Sequence, residues 1–279
     1  MDRSSIAIVG VGAMGGALLS GLLEAGWDPS DLTLIEAHQP RASELRETTG
    51  CRTVGVPSDG IDGQDVVVLA VKPQDVHVAL AQLAGVLTID QVLVALVAGV
   101  PISVYERALG EVPVIRTMPN TPALVGEGIT ACAPGAHTTA DHMAKARNVL
   151  SAVGLVEEVG EPLLDAVTGL SGTGPAYAYL LAEAMVAEGI RQGLDPAAAL
   201  RLTARTIKGA GAMMETADDD PSALRQRVMS PGGTTVEAMA VMDRGGFVEV
   251  VREAVAAATE RSKELGEIAA APQSDHGDP

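Results

Sequence analysis

The chain is short of aromatic residues: it has one Phe, one Trp and three Tyr in 279 residues. That scarcity removes the stacking platforms on which single-stranded nucleic acids are usually held. It is also short of positive charge. Nineteen Lys and Arg stand against 36 Asp and Glu, a formal net charge of −17, which argues against nucleic acid or an anionic membrane as a partner. An acidic surface does not prevent one local pocket from being positive. Only two cysteines occur, Cys51 and Cys132, far apart and without metal-ligand spacing, so they read as small buried side chains. The five histidines are scattered, and no metal is expected. No apolar run free of Gly, Pro and charge is long enough to span a bilayer. Met1-Asp2-Arg3-Ser4-Ser5 is too short and polar to act as a secretory leader. The expectation is a soluble cytoplasmic protein.

The length predicts two domains, and Ala, Val, Leu and Met supply apolar residues enough for two cores. In the first half short apolar runs alternate with helical patterns. Strands are expected at Ser5–Val9, Leu32–Glu36, Asp65–Val71, Val92–Ala98, Val112–Arg116, Gly128–Ala133 and Leu155–Val159. Helices are expected at Met14–Ala25, Pro40–Thr49, Gln74–Leu83, Ile102–Leu109 and Ala140–Ala152. Such alternation implies a parallel sheet covered on both faces. After about Gly160 the period changes from 2 to 3.6 and only helices are expected, with 161–279 forming a second, all-helical domain. The segment 175–192 is apolar around most of its circumference, so it must be buried on several sides. In so small a helical domain a second subunit is the natural cover, with a central helix of a monomeric bundle as the alternative. Gly193 and Gly211 read as helix punctuation, Pro196 as a first-turn proline, and Pro272–Pro279 as a disordered tail.

Ser230-Pro231-Gly232-Gly233-Thr234-Thr235 precedes a helical run, Val236 to Asp243. Two glycines and two hydroxyls at a helix N-terminus gather free backbone N–H groups, a site for a small carboxylate. At the other end Ile6-Ala7-Ile8-Val9 runs into Gly10-Val11-Gly12-Ala13-Met14-Gly15. This is G-x-G-x-x-G between a strand and a helix, the context of a dinucleotide-binding turn. Gly10 permits the tight turn, Gly12 the approach of a pyrophosphate, and Gly15 close helix–strand packing. Glu36 falls about twenty residues past Gly15, where an acid binds a ribose 2′-hydroxyl; it equally suits a solvated strand end. His38 and Arg41 follow closely and would suit a 2′-phosphate. The balance leans to NADH with NADPH open. Three further strand ends should line the crevice: Val71-Lys72-Pro73-Gln74, Val97-Ala98-Gly99-Val100, and Arg116-Thr117-Met118-Pro119-Asn120-Thr121-Pro122. The small Ala98 and Gly99 leave room for a nicotinamide ring. Lys72 also fits a plain surface lysine, and Asn120, between two prolines, a fixed polar group. A cofactor site and a small-anion site together point to an oxidoreductase acting on a small acid.

Four segments in this order resemble the pyrroline-5-carboxylate reductases: Val71-Lys72-Pro73-Gln74, Arg116 to Pro122, Gly172-Thr173-Gly174-Pro175-Ala176-Tyr177, and Val228-Met229-Ser230-Pro231-Gly232-Gly233-Thr234-Thr235. The resemblance runs from about Ile6 to Gly266. It implies an α/β Rossmann-type N-terminal domain followed by an all-α C-terminal dimerisation domain. It also implies a homodimer that can extend to a pentamer of dimers, and reduction of pyrroline-5-carboxylate to proline by NADPH or NADH. The first turn has Ala13 where many relatives have Asn. Carried over, Ser230, Gly232, Gly233 and Thr234 bind the substrate carboxylate, and Thr235 offers its hydroxyl to the ring nitrogen as the catalytic group. Gly10, Gly12, Ala13, Met14, Gly15, Glu36, His38, Arg41, Val71, Lys72, Pro73, Ala98, Gly99 and Asn120 bind the cofactor. A helix cap is the plainer role for Thr235. Two rival readings are a β-hydroxyacid dehydrogenase or imine reductase, for which Lys208 is the one mid-helix lysine, and a non-catalytic NAD(P)H-binding regulator.

Overall fold

The structure is a computed structural model and describes residues 4–271; the expected tail at 272–279 lies outside them. The first half builds β1 (Ile6–Val9), α1 (Ala13–Glu24), β2 (Leu32–Ile35), α2 (Gln39–Thr49), β3 (Arg52–Val54), β4 (Val66–Leu69), α3 (Val76–Leu83), β5 (Val92–Ala95), α4 (Ile102–Leu109), β6 (Val114–Met118), β7 (Gly128–Pro134), α5 (Ala140–Leu150) and β8 (Gly154–Glu158). They form one eight-stranded sheet, ordered β3-β2-β1-β4-β5-β6-β7-β8. Every residue of β1, β2, β4 and β5 is buried, as expected for strands covered on both faces. Two separate apolar clusters flank the sheet. One is built on Ile6, Ile8, Leu18 and Leu22, the other on Ala7, Val67, Leu69, Leu80 and Tyr105. Alternate residues of the same strands thus point into opposite layers.

Two features depart from the expected sheet. β7 runs antiparallel to β6, which corrects the reading of a wholly parallel sheet. The connection 119–127 holds a single short turn of 3-10 helix, Thr121–Val125, and is too short for a right-handed crossover, which takes about a dozen residues or more. The chain therefore turns back beside β6, and parallel pairing resumes between β7 and β8. The second departure is β3, a three-residue edge strand paired with β2 and too brief to show a period.

The rest is helical among the described residues: α6 (Leu164–Val167), one turn of π-helix at Thr168–Gly172, α7 (Gly174–Arg191), α8 (Pro196–Thr216), α9 (Pro221–Arg227), α10 (Thr234–Arg244) and α11 (Phe247–Ala270). Pro175 stands in the first turn of α7 and Pro196 opens α8. Gly193, at φ +98°, ends the first of these helices as expected. Gly211 lies inside α8 and interrupts nothing, a correction to its reading as punctuation; one glycine in a long helix costs only about 1 kcal/mol. Packing divides the chain into two units. One holds the residues up to Gly172 together with those from Ala257 onward; the other is Thr173–Ala256. The division thus falls later than Gly160, because α6 and the π turn pack on the sheet, and the end of α11 returns to the first unit. In the second unit α7 has no buried residue. Tyr179 and Leu180 are 61% and 68% exposed, so α7, which packs against α8 on one side, keeps an apolar side that is uncovered inside one chain.

Candidate active site

The strand order reverses between β1 and β4, where open α/β sheets bind ligands at the C-terminal strand ends. The predicted cofactor residues gather there, on the neighbouring strands β2, β1, β4, β5 and β6. Gly10 follows β1 at φ +88°, and a Cβ on it would lie 3.0 Å from the Ala70 carbonyl oxygen. Its N–H donates to the Ile35 carbonyl (3.0 Å), pinning the turn to β2. A Cβ on Gly15 would fall well inside van der Waals distance of the Gly10 oxygen, so only glycine lets α1 lie this close to the turn. A Cβ on Gly12 would meet nothing within 4 Å: that backbone faces open space. Gly12 is also the N-cap of α1, with no side chain capping it and no acid in the first turn. First-turn N–H groups beside exposed Gly12 and Ala13 are therefore left to an incoming anion. These residues fit a dinucleotide pyrophosphate. Met14, next in the turn, packs against the sheet cluster instead.

At the end of β2 the Glu36 carboxylate accepts the His38 N–H (3.0 Å), which holds it beside the crevice. His38 caps α2 through its backbone only. Arg41 is paired with Glu44 at 2.9 Å on the exposed face of α2. After β4, Val71 is half-buried and Lys72 and Pro73 are exposed. After β5, Ala98 is exposed and Gly99 turns at φ +75°. After β6, Asn120 is half-buried with both ends of its amide in use. Its Oδ1 accepts the Ile129 N–H (3.0 Å), and its Nδ2 donates to the Ser171 carbonyl (3.3 Å) in the π turn. It is the fixed polar group expected, and its fixing joins β7 to the segment just before Thr173.

Sequence reasoning missed a polar cluster behind the crevice. Arg116, with a side chain only 7% exposed, lies 3.1 Å from Glu161 and 3.8 Å from Asp165. Glu161 also accepts the first N–H of α4, from Ile102 (2.7 Å). Asp165 accepts the Ser262 hydroxyl of α11 (2.7 Å). Tyr105 is fully buried beside Arg116 and Glu161, and burial raises its pKa, so the phenol stays neutral. The signal in the sequence was an arginine inside an apolar strand, which must find partners when buried.

In the second unit, Ser230 to Gly233 forms a tight turn into α10. Gly232 adopts φ +71°, and the Gly233 N–H donates to the Ser230 carbonyl (2.9 Å). That bond uses the N–H of Gly233, one of the residues expected to bind the carboxylate. The N–H groups of Gly232, Thr234 and Thr235 remain as candidates. Gly233 is the N-cap of α10, and no side chain caps it. The plainer role for Thr235, helix cap, is therefore not the one it plays; it lies in the first turn and is half-buried, while Ser230 and Thr234 are exposed. Lys208 is an exposed mid-helix residue of α8. Among the described residues no three His, Cys, Asp or Glu side chains gather as a metal site, and no helix is long and apolar enough to cross a membrane.

A dinucleotide crevice on a twisted sheet, followed by helices with uncovered apolar faces, defines a nicotinamide-dependent oxidoreductase with a helical association domain. The matches to known families agree. Residues 5–99 match the family described as NADP oxidoreductase coenzyme F420-dependent, and residues 161–265 match pyrroline-5-carboxylate reductase dimerisation. A pyrroline-5-carboxylate reductase of Corynebacterium melassecola is 38% identical over 267 residues, covering 94% of this chain and 99% of its own. A solved pyrroline-5-carboxylate reductase from Coxiella burnetii superposes with a TM-score of 0.90 at 34% identity, covering 95% and 99%. One from Plasmodium falciparum, with NADP bound, gives 0.84 at 28% identity, covering 95% and 99%. The chain belongs to the pyrroline-5-carboxylate reductase family.

Proposed function

We propose that this chain reduces L-1-pyrroline-5-carboxylate to L-proline, the last step of proline biosynthesis, as an oxidoreductase of the CH–NH class. The uncapped N-terminus of α10 carries the reading: it offers N–H groups, and no full positive charge, to a small carboxylate. A dihydronicotinamide coenzyme, which the Gly10–Gly15 turn and the strand ends at Lys72 and Gly99 would hold, would supply a hydride to the carbon of the ring C=N bond, with water supplying the proton that completes the amine at nitrogen. The chain's part is to hold and aim. Gly232, Thr234 and Thr235 hold the carboxylate by backbone N–H groups, and the Thr235 hydroxyl meets the ring nitrogen. A hydroxyl both donates and accepts, so it serves the iminium before transfer and the amine after it. Threonine's stiff χ1 keeps it aimed. No acidic side chain is assigned as proton donor, because an imine nitrogen is basic enough to be protonated from water. Positioning then supplies most of the rate, on the order of 7–11 kcal/mol.

Thr235→Ala is expected to lower kcat/KM about tenfold to a hundredfold, because a hydrogen bond to a charged partner contributes about 1.5–3 kcal/mol. Steady-state kinetics with pyrroline-5-carboxylate read this directly, and wild-type values in the variant would remove Thr235 from the mechanism. A hydroxyacid with oxidised coenzyme serves as the control for the dehydrogenase rival.

NADH is proposed as the preferred coenzyme. The Glu36 carboxylate is fixed by its bond to His38 N–H, and Arg41 is engaged by Glu44, so the end of β2 presents net negative charge where a 2′-phosphate would lie. Side-by-side NADH and NADPH titrations test this. Glu36→Ser is expected to shift the ratio of kcat/KM values toward NADPH by about tenfold or more, since removing one like charge relieves about 1–2 kcal/mol. An unchanged ratio would take Glu36 out of coenzyme selection. A homodimer is the proposed working unit, covering the exposed apolar side of α7, with a pentamer of dimers as the larger assembly; light scattering reads both masses. Both cysteines are free and buried, which suits the reducing cytoplasm.

A further inference from the structure

The Gly99 loop has a second side. Its exposed Ala98 faces outward at the strand ends, and its backbone is backed from within by the last turns of α11. That helix runs 24 residues, yet only Ser262 and Gly266 are buried along it. They are four apart, hence on one face. A Cβ on Gly266 would stand 3.3 Å from the Gly99 carbonyl oxygen and 3.9 Å from Pro101, and a Cβ on Gly99 would stand 3.6 Å from that of Leu265. At Gly266 the helix thus lies close against the Gly99 carbonyl, with the Leu265 Cβ beside Gly99 itself. Further along, Ala269 and Ala270 pack into the second sheet cluster.

The same turns are registered by hydrogen bonds. Ser262 donates to Asp165 at 2.7 Å. Asp165 and Glu161 share Arg116, and Glu161 accepts the Ile102 N–H. The loop is therefore held at two points: at Ile102 by Glu161, and at Gly99 by Gly266. Both holds converge on the buried Arg116 of β6. Here the contact is made by the smallest residue, and its neighbour one turn away is fixed by a hydrogen bond rather than by apolar packing.

We infer that Gly266 and Ser262 are positioning residues for the reaction: α11 sets how far the Gly99 loop stands above the strand ends, and so where the nicotinamide ring can lie. The inference rests on the proposed seat of the ring at Ala98 and Gly99. Gly266→Ala places a methyl group against the Gly99 carbonyl and displaces it by a few tenths of an ångström. Ser262→Ala removes the register bond while adding no bulk.

The test compares two ligands on the full chain by titration calorimetry: NADH, and ADP-ribose, which has the same adenosine and pyrophosphate but no nicotinamide. Gly266→Ala is expected to weaken NADH about tenfold, in line with overpacking, and to leave ADP-ribose within about twofold. Ser262→Ala is expected to move NADH in the same direction by a smaller factor. Both should also change the primary deuterium isotope effect measured with 4-deuterated NADH. Equal weakening of both ligands would mean a merely structural seam and overturn the proposal, as would unchanged NADH binding in both variants. Should Gly266→Ala fold poorly, Ser262→Ala decides by the same comparison. The underlying reading fails separately: if Ala98→Val, on the outward side of the loop, leaves NADH binding and turnover untouched, the ring does not lie there and both ideas fall.

Discussion

Gly15→Ala is expected to abolish measurable coenzyme binding, lowering NADH affinity on the order of a hundredfold or more. The added methyl would collide with the carbonyl oxygen of Gly10, and that atom cannot swing aside as a side chain would. Gly10 is itself fixed by its bond to Ile35, by φ +88°, and by the approach of Ala70. The strain must therefore push α1 away from the strand ends, taking with it the first-turn N–H groups proposed to meet the pyrophosphate. Tryptophan-to-NADH energy transfer or calorimetry measures the affinity, and a thermal melt reports the accompanying loss of stability. Gly12→Ala is the control. Its methyl meets no protein atom within 4 Å, so the fold should be untouched while the pyrophosphate is crowded. Normal NADH affinity in both variants would mean that this turn does not hold the coenzyme.

Gly233→Ala is expected to cut kcat/KM for the imine by about a hundredfold, near the 2.7 kcal/mol that two tenfold steps represent, while leaving NADH affinity unchanged. A Cβ there would stand 2.5 Å from the Ser230 hydroxyl and 3.0 Å from its carbonyl oxygen. The hydroxyl can rotate away, but the carbonyl is the acceptor that closes the turn. Opening the turn moves the N–H groups of Gly232, Thr234 and Thr235 together and so loses several weak contacts in one step. The double variant Ser230→Ala, Gly233→Ala removes the hydroxyl clash and should recover part of the loss. Wild-type kinetics in Gly233→Ala would place the carboxylate elsewhere.

Both glycine turns were legible before any coordinates, because their residue types have few other uses. Strand and helix assignments held for the apolar strands at 6–9, 32–35, 66–69 and 92–95, whose buried runs carry strong signals. The direction of β7 is less visible: the alternation of strands and helices suggests parallel pairing, and only the shortness of 119–127 speaks against it. β3 left no period in three residues. Arg116 was read only as part of a motif, although an arginine amid Val114, Ile115 and Thr117 already required buried partners. Those partners, Glu161 and Asp165, lie across the apparent domain boundary, where sequence distance hid them. The hold of α11 on the Gly99 loop left no hydrophobic signature, since its buried face consists of a serine and a glycine.

The sequence by itself determined the local chemistry: where the backbone can turn with positive φ, which helix N-termini lie open to anions, and which strands are apolar enough to be covered on both faces. These follow from steric limits and periodicity within a few residues. Only the tertiary structure decided which distant segments meet: the return of α11 to the sheet, the convergence of two carboxylates on Arg116, and the amide of Asn120 tying β7 to the π turn. Those pairings join residues many tens of positions apart, and they are selected by the shape and hydrogen-bonding of the assembled core, which no local pattern encodes.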